Sequence, residues 1–297
     1  MSEALIRAGL WALRLASLLP FTVLARLGDA AGRVAWALAR PRRRIARTNL
    51  QLCFPDLSAG ERARIERRHF RMFARSFLDR FILWHGSADR IRELCRLEAY
   101  HYLEAPLRAG RPVIVLAPHF VGIDADGIRL MVERPGVGSM YARQKSAALN
   151  EVMTRGRSRF ESTMMLRNDG LRPAVRLLQS GGVFYFLPDM DLGARDALFV
   201  PFFGVPAATV TSVARLARLT GAAVVPMVTQ LGEAGYVSRF YPAWEDYPGA
   251  DLEAATRALN AFIEARVLEM PDQYLWTHRR FKTRPPGAPV LYRGIGE

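Results

Sequence analysis

Residues 113–117 read Val-Ile-Val-Leu-Ala, an uninterrupted apolar run rich in β-branched side chains. Apolar on both faces, such a run forms a strand only where both faces are covered, which places it inside a sheet packed between helices. Further strands are expected at 137–141, 182–187, 222–229 and 236–241. Helices are expected at 209–220, ending at Gly221, and at 251–270, stopped by Pro271. Alternating strands and helices define an α/β class, here a mixed, mainly parallel central sheet flanked by helices.

The first 95 residues carry a different pattern. From Ser58 onward, a candidate N-cap is followed three residues later by Glu61, the spacing of a capping box, and Ile65, Phe70, Phe73, Phe77 and Phe81 recur at helical spacing. Upstream, residues 8–25 (AGLWALRLASLLPFTVLA) approach bilayer-spanning length but are interrupted by Arg14 and Pro20. A central Arg costs roughly 2.5–3.5 kcal/mol on insertion scales, and a spanning helix wants about 20 apolar residues. Wound as a helix, Glu3, Arg7, Arg14 and Ser17 share one stripe, with Leu5, Trp11, Leu13, Leu15 and Leu18 outside it and Leu10 intruding. That suits a helix lying in a membrane interface better than a cleaved signal peptide, whose apolar core Arg14 would split. The chain thus divides into a helical, membrane-associating region at 1–95 and an α/β domain at 96–297.

Charge narrows the partners. Lys plus Arg number 42 against 28 Asp plus Glu, a net charge of +14, and only Lys145 and Lys282 are lysines. The excess attracts polyanions: nucleic acid, an anionic membrane or a phosphorylated substrate. The cluster Arg40, Arg42, Arg43, Arg44 and Arg47 follows amphipathic residues with Arg26, Arg33 and Arg40 at heptad spacing. A polybasic segment beside an amphipathic one favours anionic headgroups. Nucleic acid is disfavoured, because no aromatic-interleaved basic tract or recognisable binding module occurs. With half its residues hydrophobic the chain is not disordered, and two cysteines, Cys53 and Cys95, cannot build a disulfide scaffold.

The strand at 113–117 runs into Pro118-His119-Phe120-Val121-Gly122-Ile123-Asp124. Were His119 and Asp124 both helical they would diverge by about 140°. They meet if His119 lies in the strand-end loop and Asp124 in the first turn of the next helix, with Gly122 relieving the backbone between them. Asp124 would then fix the imidazole tautomer while the other ring nitrogen takes a proton from a hydroxyl. Arg143, after the strand at 137–141, and the trio Arg155, Arg157 and Arg159 are candidate phosphate ligands. The apolar segment 199–204, with Phe202 and Phe203, either lines an acyl groove or belongs to the core. No glycine-rich nucleotide loop and no serine elbow is present.

His119 and Asp124 match the H-x4-D/E motif of the glycerolipid and lysophospholipid acyltransferases. The match extends through Arg167-Asn168-Asp169-Gly170, Pro188-Asp189-Met190-Asp191, Phe199-Val200-Pro201-Phe202-Phe203-Gly204 and the long run 273–285 (QYLWTHRRFKTRP), with Asn49-Leu50 and Cys53-Phe54-Pro55 upstream. Over residues 10–292 the chain resembles the lauroyl/myristoyl, or late, acyltransferases of lipid A biosynthesis. It departs from them in carrying Asp124 where many members have Glu.

The resemblance implies a glycerolipid-acyltransferase-like fold and an enzyme at the cytoplasmic face of a bacterial inner membrane. It would move an acyl chain from acyl carrier protein, or acyl-CoA, to a hydroxyl of a lipid A precursor, with His119 as general base and no metal or other cofactor. Arg167 matches the family's second-block arginine, and Asp189 and Asp191 are expected to contact the acceptor sugar or cap a helix. The alternatives are the same chemistry on a lysophospholipid, ornithine lipid or glycolipid, or a non-catalytic membrane-binding protein.

Overall fold

The strand expected at 113–117 forms as β2 (Val113–Leu116), the middle strand of seven in a computed structural model that describes residues 3–295. Five helices precede the sheet: α1 (Glu3–Ala16), α2 (Phe21–Leu38), α3 (Arg40–Cys53), α4 (Ala59–His85) and α5 (Ala88–Leu94). Then come β1 (Cys95–Glu98), α6 (His101–Arg108), β2, α7 (Ile123–Glu133), β3 (Gly138–Tyr141), α8 (Ala147–Arg157), β4 (Thr163–Leu166), α9 (Arg172–Gln179) and β5 (Val183–Phe186). The chain continues with β6 (Ala197–Phe202), β7 (Val205–Val210), α10 (Ser212–Thr220), β8 (Ala223–Gly232), β9 (Gly235–Phe240) and α11 (Leu252–Glu269).

The strand order is β1-β9-β8-β2-β5-β3-β4, and every neighbouring pair is parallel except β8 with β9. The sheet is therefore mixed and mainly parallel, as its apolar strands require. All four residues of β2 are fully buried, with Ile114 and Leu116 in one core cluster and Val113 and Val115 in another. Ile45, Leu50 and Phe70 of α3 and α4 join the first of these clusters, so the N-terminal helices and the sheet share a core.

Sequence and structure part at several elements. Residues 209 and 210 end β7, and the helix expected from 209 begins at Ser212. Strand β4 was not anticipated, and Cys95 opens β1 instead of closing the helical region. The segment 199–204 is the tip of the antiparallel hairpin β6–β7, which stands apart from the main sheet, with Phe203 and Gly204 both at positive φ in the turn. The capping box forms as expected: the Ser58 hydroxyl accepts from the Glu61 N–H, and the Glu61 carboxylate accepts from the Ser58 N–H.

Helix α1 is inside out. Glu3 accepts hydrogen bonds from the first turn of α8, Arg7 lies 3.9 Å from Glu151, and Ser17 just after the helix is buried, whereas Leu5, Trp11 and Leu15, with Leu18 in the turn that follows, are each more than 60% exposed. Nine of the thirteen exposed large hydrophobic residues among those described lie between residues 5 and 38. No helix among the described residues is long and apolar enough to cross a membrane. Helix α2 nonetheless packs tightly on α4, because a Cβ at Gly28 or Gly32 would sit 2.6 or 2.5 Å from the Cα of Arg75 or Arg71.

Candidate active site

Strands β2 and β5 are parallel neighbours with Leu116 opposite Phe186. Each continues through an apolar residue and a proline, Ala117-Pro118 and Leu187-Pro188, so His119 and Asp189 emerge three residues beyond a paired position, side by side at the carboxyl ends of their strands. This rim is where an open α/β sheet presents its ligands. His119 Nδ1 lies 2.7 Å from Asp189 Oδ1, and the His119 backbone N–H donates to the same carboxylate at 3.0 Å.

Asp189 is 1% exposed. Burial alone would push its carboxyl up, but the His119 imidazole and backbone N–H, both donating to it, and the Arg280 guanidinium outweigh this and hold it down to about 2. An ionised Asp189 requires the proton on Nδ1, which leaves the Nε2 lone pair as the acceptor on the far side of the ring.

The expected pairing of His119 with Asp124 is therefore replaced by one with Asp189. Asp124 does sit in the first turn of α7, but its carboxylate lies 2.8 Å from Arg80 Nε of α4 and 2.7 Å from Arg157 Nη2 of α8. Burial raises the Asp124 carboxyl and the two guanidiniums lower it further than that, so it remains an anion clipped between two cations. Gly122 adopts an ordinary negative φ. It is required for close approach instead, since a Cβ there would stand 2.5 Å from Thr229 Cγ2.

The remaining candidates fall into four groups. Arg167 lines the cavity at His119, and Arg143 lines a second cavity beside it. Asp191 is buried and accepts from the Gly193 N–H and from the backbone and hydroxyl of Thr283, so it neither caps a helix nor faces solvent. Phe202 is fully buried under Arg280 and Phe203 packs on Phe54. Both belong to the hairpin core and neither lines the cavity at His119. The arginine trio is dispersed: Arg155 pairs with Glu151, Arg157 with Asp124, and Arg159 donates to the Gly86 carbonyl. Among the described residues, no group of three or more His, Cys, Asp or Glu side chains could hold a metal ion.

The run 273–285 had no evident purpose in the sequence; in the structure it grips both loops that carry His119 and Asp189. Val121 N–H donates to the Gln273 carbonyl, Leu275 N–H to the His119 carbonyl, and Asp191 N–H to Nε2 of His278, whose half-buried ring is pushed down to about 4 by desolvation. Arg280, 2% exposed, donates to the Ala208 carbonyl and Thr209 hydroxyl and supplies positive charge beneath Asp189. Asn49 anchors the run from α3 through the carbonyls of Trp276 and His278.

His119 opens on a cavity of about 550 Å³ between α4, α7, α8 and the ends of β3 and β5. Its walls are largely apolar, including Ile128, Met131, Met140, Leu149, Met153 and Met164. Beneath the Tyr185 side of this wall, burial pushes the Asp126 carboxyl up to about 7 even though the Tyr185 hydroxyl donates to it at 2.6 Å. A flexible, thioether-rich lining of this volume suits an elongated apolar ligand.

Residues 1–283 match the sequence profile of the family described as bacterial lipid A biosynthesis acyltransferase, and the chain belongs to that family. It is thus an acyltransferase. It is 36% identical over 277 residues to the lipid A biosynthesis palmitoleoyltransferase of Escherichia coli, covering 92% of this chain and 90% of that protein. The lauroyltransferase of the same organism is 31% identical over 287 residues (96% and 93%), and its myristoyltransferase 30% over 273 residues (91% and 83%). Among solved structures, a 1-acyl-sn-glycerophosphate acyltransferase from Thermotoga maritima overlaps with a TM-score of 0.40 at 13% identity, covering 84% of this chain and 97% of that one.

Proposed function

We propose that the protein transfers a fatty acyl chain from the thioester of acyl carrier protein to a hydroxyl of a lipid A precursor, at the cytoplasmic face of a bacterial inner membrane. The observation that carries this reading is the His119 ring, fixed at 2.7 Å by Asp189 and bordering a largely apolar cavity. His119 Nε2 takes the proton from the acceptor hydroxyl as its oxygen attacks the thioester carbonyl. The tetrahedral intermediate then collapses, the C–S bond breaks, and the thiolate takes the proton back from the imidazolium. An ester and a free thiol result, with no acyl-enzyme.

Positive charge is available for the oxyanion at the same cavity, where Asp124 clips Arg80 and Arg157 to the wall. The apolar chamber takes the acyl chain. Incubating purified protein with labelled acyl carrier protein and a panel of lipid A precursors, lysophospholipids and ornithine lipids, then resolving products by mass spectrometry, tests the assignment. Acylated lipid A precursor is expected. A product only with another acceptor would reassign the substrate, and none with any would reject the reading.

The outward-facing residues of α1, with Leu18 in the turn after it, supply the lipid contact, and the basic cluster after α2 adds attraction to anionic headgroups. Trp11→Ser, Leu15→Ser and Leu18→Ser together should leave folding intact, because all three side chains are exposed. They should weaken binding to anionic vesicles more than about tenfold, since each apolar side chain buried is worth about 1.5–3 kcal/mol. Unchanged sedimentation with vesicles would remove α1 from the membrane contact.

A further inference from the structure

A second cavity, of about 690 Å³ and more open, adjoins the His119 chamber and shares Tyr141 and Gln144 with it. Its character is opposite. Arg143, Lys145 and Arg155 line it against a single carboxylate, Glu151. That carboxylate is already answered by Arg155 at 2.9 Å and by Arg7 at 3.9 Å. Arg143 and Lys145 make no ion pair and no side-chain hydrogen bond among the described residues. Two cations are thus left over, and in a chain where all but two of the 42 basic residues are arginine, one of them is a lysine.

The loop that carries them is tied down. Gln144 N–H donates to Asn150 Oδ1 at 3.0 Å and its side-chain amide to the Ala142 carbonyl at 3.1 Å, fastening residues 142–145 to α8. With its oxygen so used, the Asn150 amide nitrogen remains as a further donor in the cavity wall. The chain itself places an anion at this end of α8, where the Glu3 carboxylate accepts from the Ser146 hydroxyl and the N–H groups of Ala147 and Ala148, all at 3.3 Å.

We propose that this vestibule is a phosphate subsite in which Arg143 and Lys145 hold a phosphate group of the substrate while the adjoining chamber holds the acyl chain. The proposal rests on the transfer reading above and extends it by assigning the polar end of the substrate. Arg143 offers a planar two-donor fork and Lys145 a compact point charge, a combination suited to phosphate oxygens. Two surplus positive charges match a phosphomonoester dianion, as on a lipid acceptor, and more than balance the monoanionic phosphodiester of a carrier protein's pantetheine arm. The phosphate comes from the lipid acceptor or from the pantetheine arm of the carrier thioester.

Two measurements test this on the full chain. Inorganic phosphate, compared with chloride at equal ionic strength, is expected to raise the melting temperature of the wild type. That shift should disappear in the double variant Arg143→Ala/Lys145→Ala and persist in part in Arg143→Lys. An equal phosphate shift in the wild type and the double variant would overturn the subsite, and so would its absence from the wild type. The second measurement is kinetic. The double variant should raise KM for a phosphorylated acceptor about tenfold more than for its dephosphorylated counterpart. If the rise falls on the carrier thioester instead, the phosphate is that of the pantetheine arm; if on neither, the subsite is wrong. Phosphate stabilisation that depends on the two cations in a protein that transfers no acyl group would reject the transfer reading and leave the subsite standing.

Discussion

His119→Ala is expected to lower kcat/KM by at least about 10³-fold, near the upper end of what a positioned general base contributes. The scaffold predicts that this loss comes without loss of the fold. Most of what holds position 119 is backbone: its N–H donates to Asp189 and its carbonyl accepts from Leu275. The ring, however, also answers a buried carboxylate, and its removal takes one donor from Asp189. His119→Asn is therefore the sharper variant, since its amide can still donate toward Asp189 but cannot act as a base at neutral pH. Both variants should be inactive, with the melting temperature of His119→Asn closer to that of the wild type. Turnover within tenfold of wild type in a folded His119→Asn protein would remove the imidazole from the chemistry.

How far the sequence reaches into this site depends on the distance over which its determinants act. Strand β2, the loop carrying His119, the Ser58 cap and the stop of α11 before Pro271 are set by residues within a few positions, and each formed close to where the local pattern puts it. The hairpin β6–β7 was hidden by Pro201 and Pro206, which argue against strands in a sheet interior. They face each other in an isolated two-stranded ribbon, where a missing N–H costs little. Strand β4 is a short edge strand, half exposed, with no clean alternation.

The partner of His119 was hidden for another reason. Nothing local distinguishes Asp124, five residues away, from Asp189, seventy residues away, until β5 is known to lie beside β2. A clue did exist: two apolar strands, each ending in a residue, a proline and then a polar group at the same offset. Its use requires the strand order, a non-local fact. The same holds for His278, Arg280 and Thr283, whose purpose emerges only when the C-terminal run is seen folded beneath both loops.

The division of labour between the two aspartates leads to the second large effect. Asp189→Asn should reduce kcat roughly 10³- to 10⁴-fold, the scale seen when a triad carboxylate becomes an amide and the histidine adopts the wrong tautomer. The amide can donate to Nδ1, which moves the ring proton to Nε2 and leaves the cavity side of the ring with no lone pair. A histidine-selective ¹⁵N spectrum reads this directly: Nδ1–H in the wild type, Nε2–H in the variant. Asp124→Asn acts elsewhere. It strips the counter-charge from Arg80 and Arg157, both largely buried, and removing one partner of a buried pair costs about 3–5 kcal/mol. Its melting temperature should fall and turnover should drop as the two guanidiniums shift, but His119 should keep its proton on Nδ1. If Asp124→Asn moved the tautomer and Asp189→Asn did not, the roles of the two carboxylates would be exchanged, and Asp189 would be reduced to a buried strut between the loop and the C-terminal run.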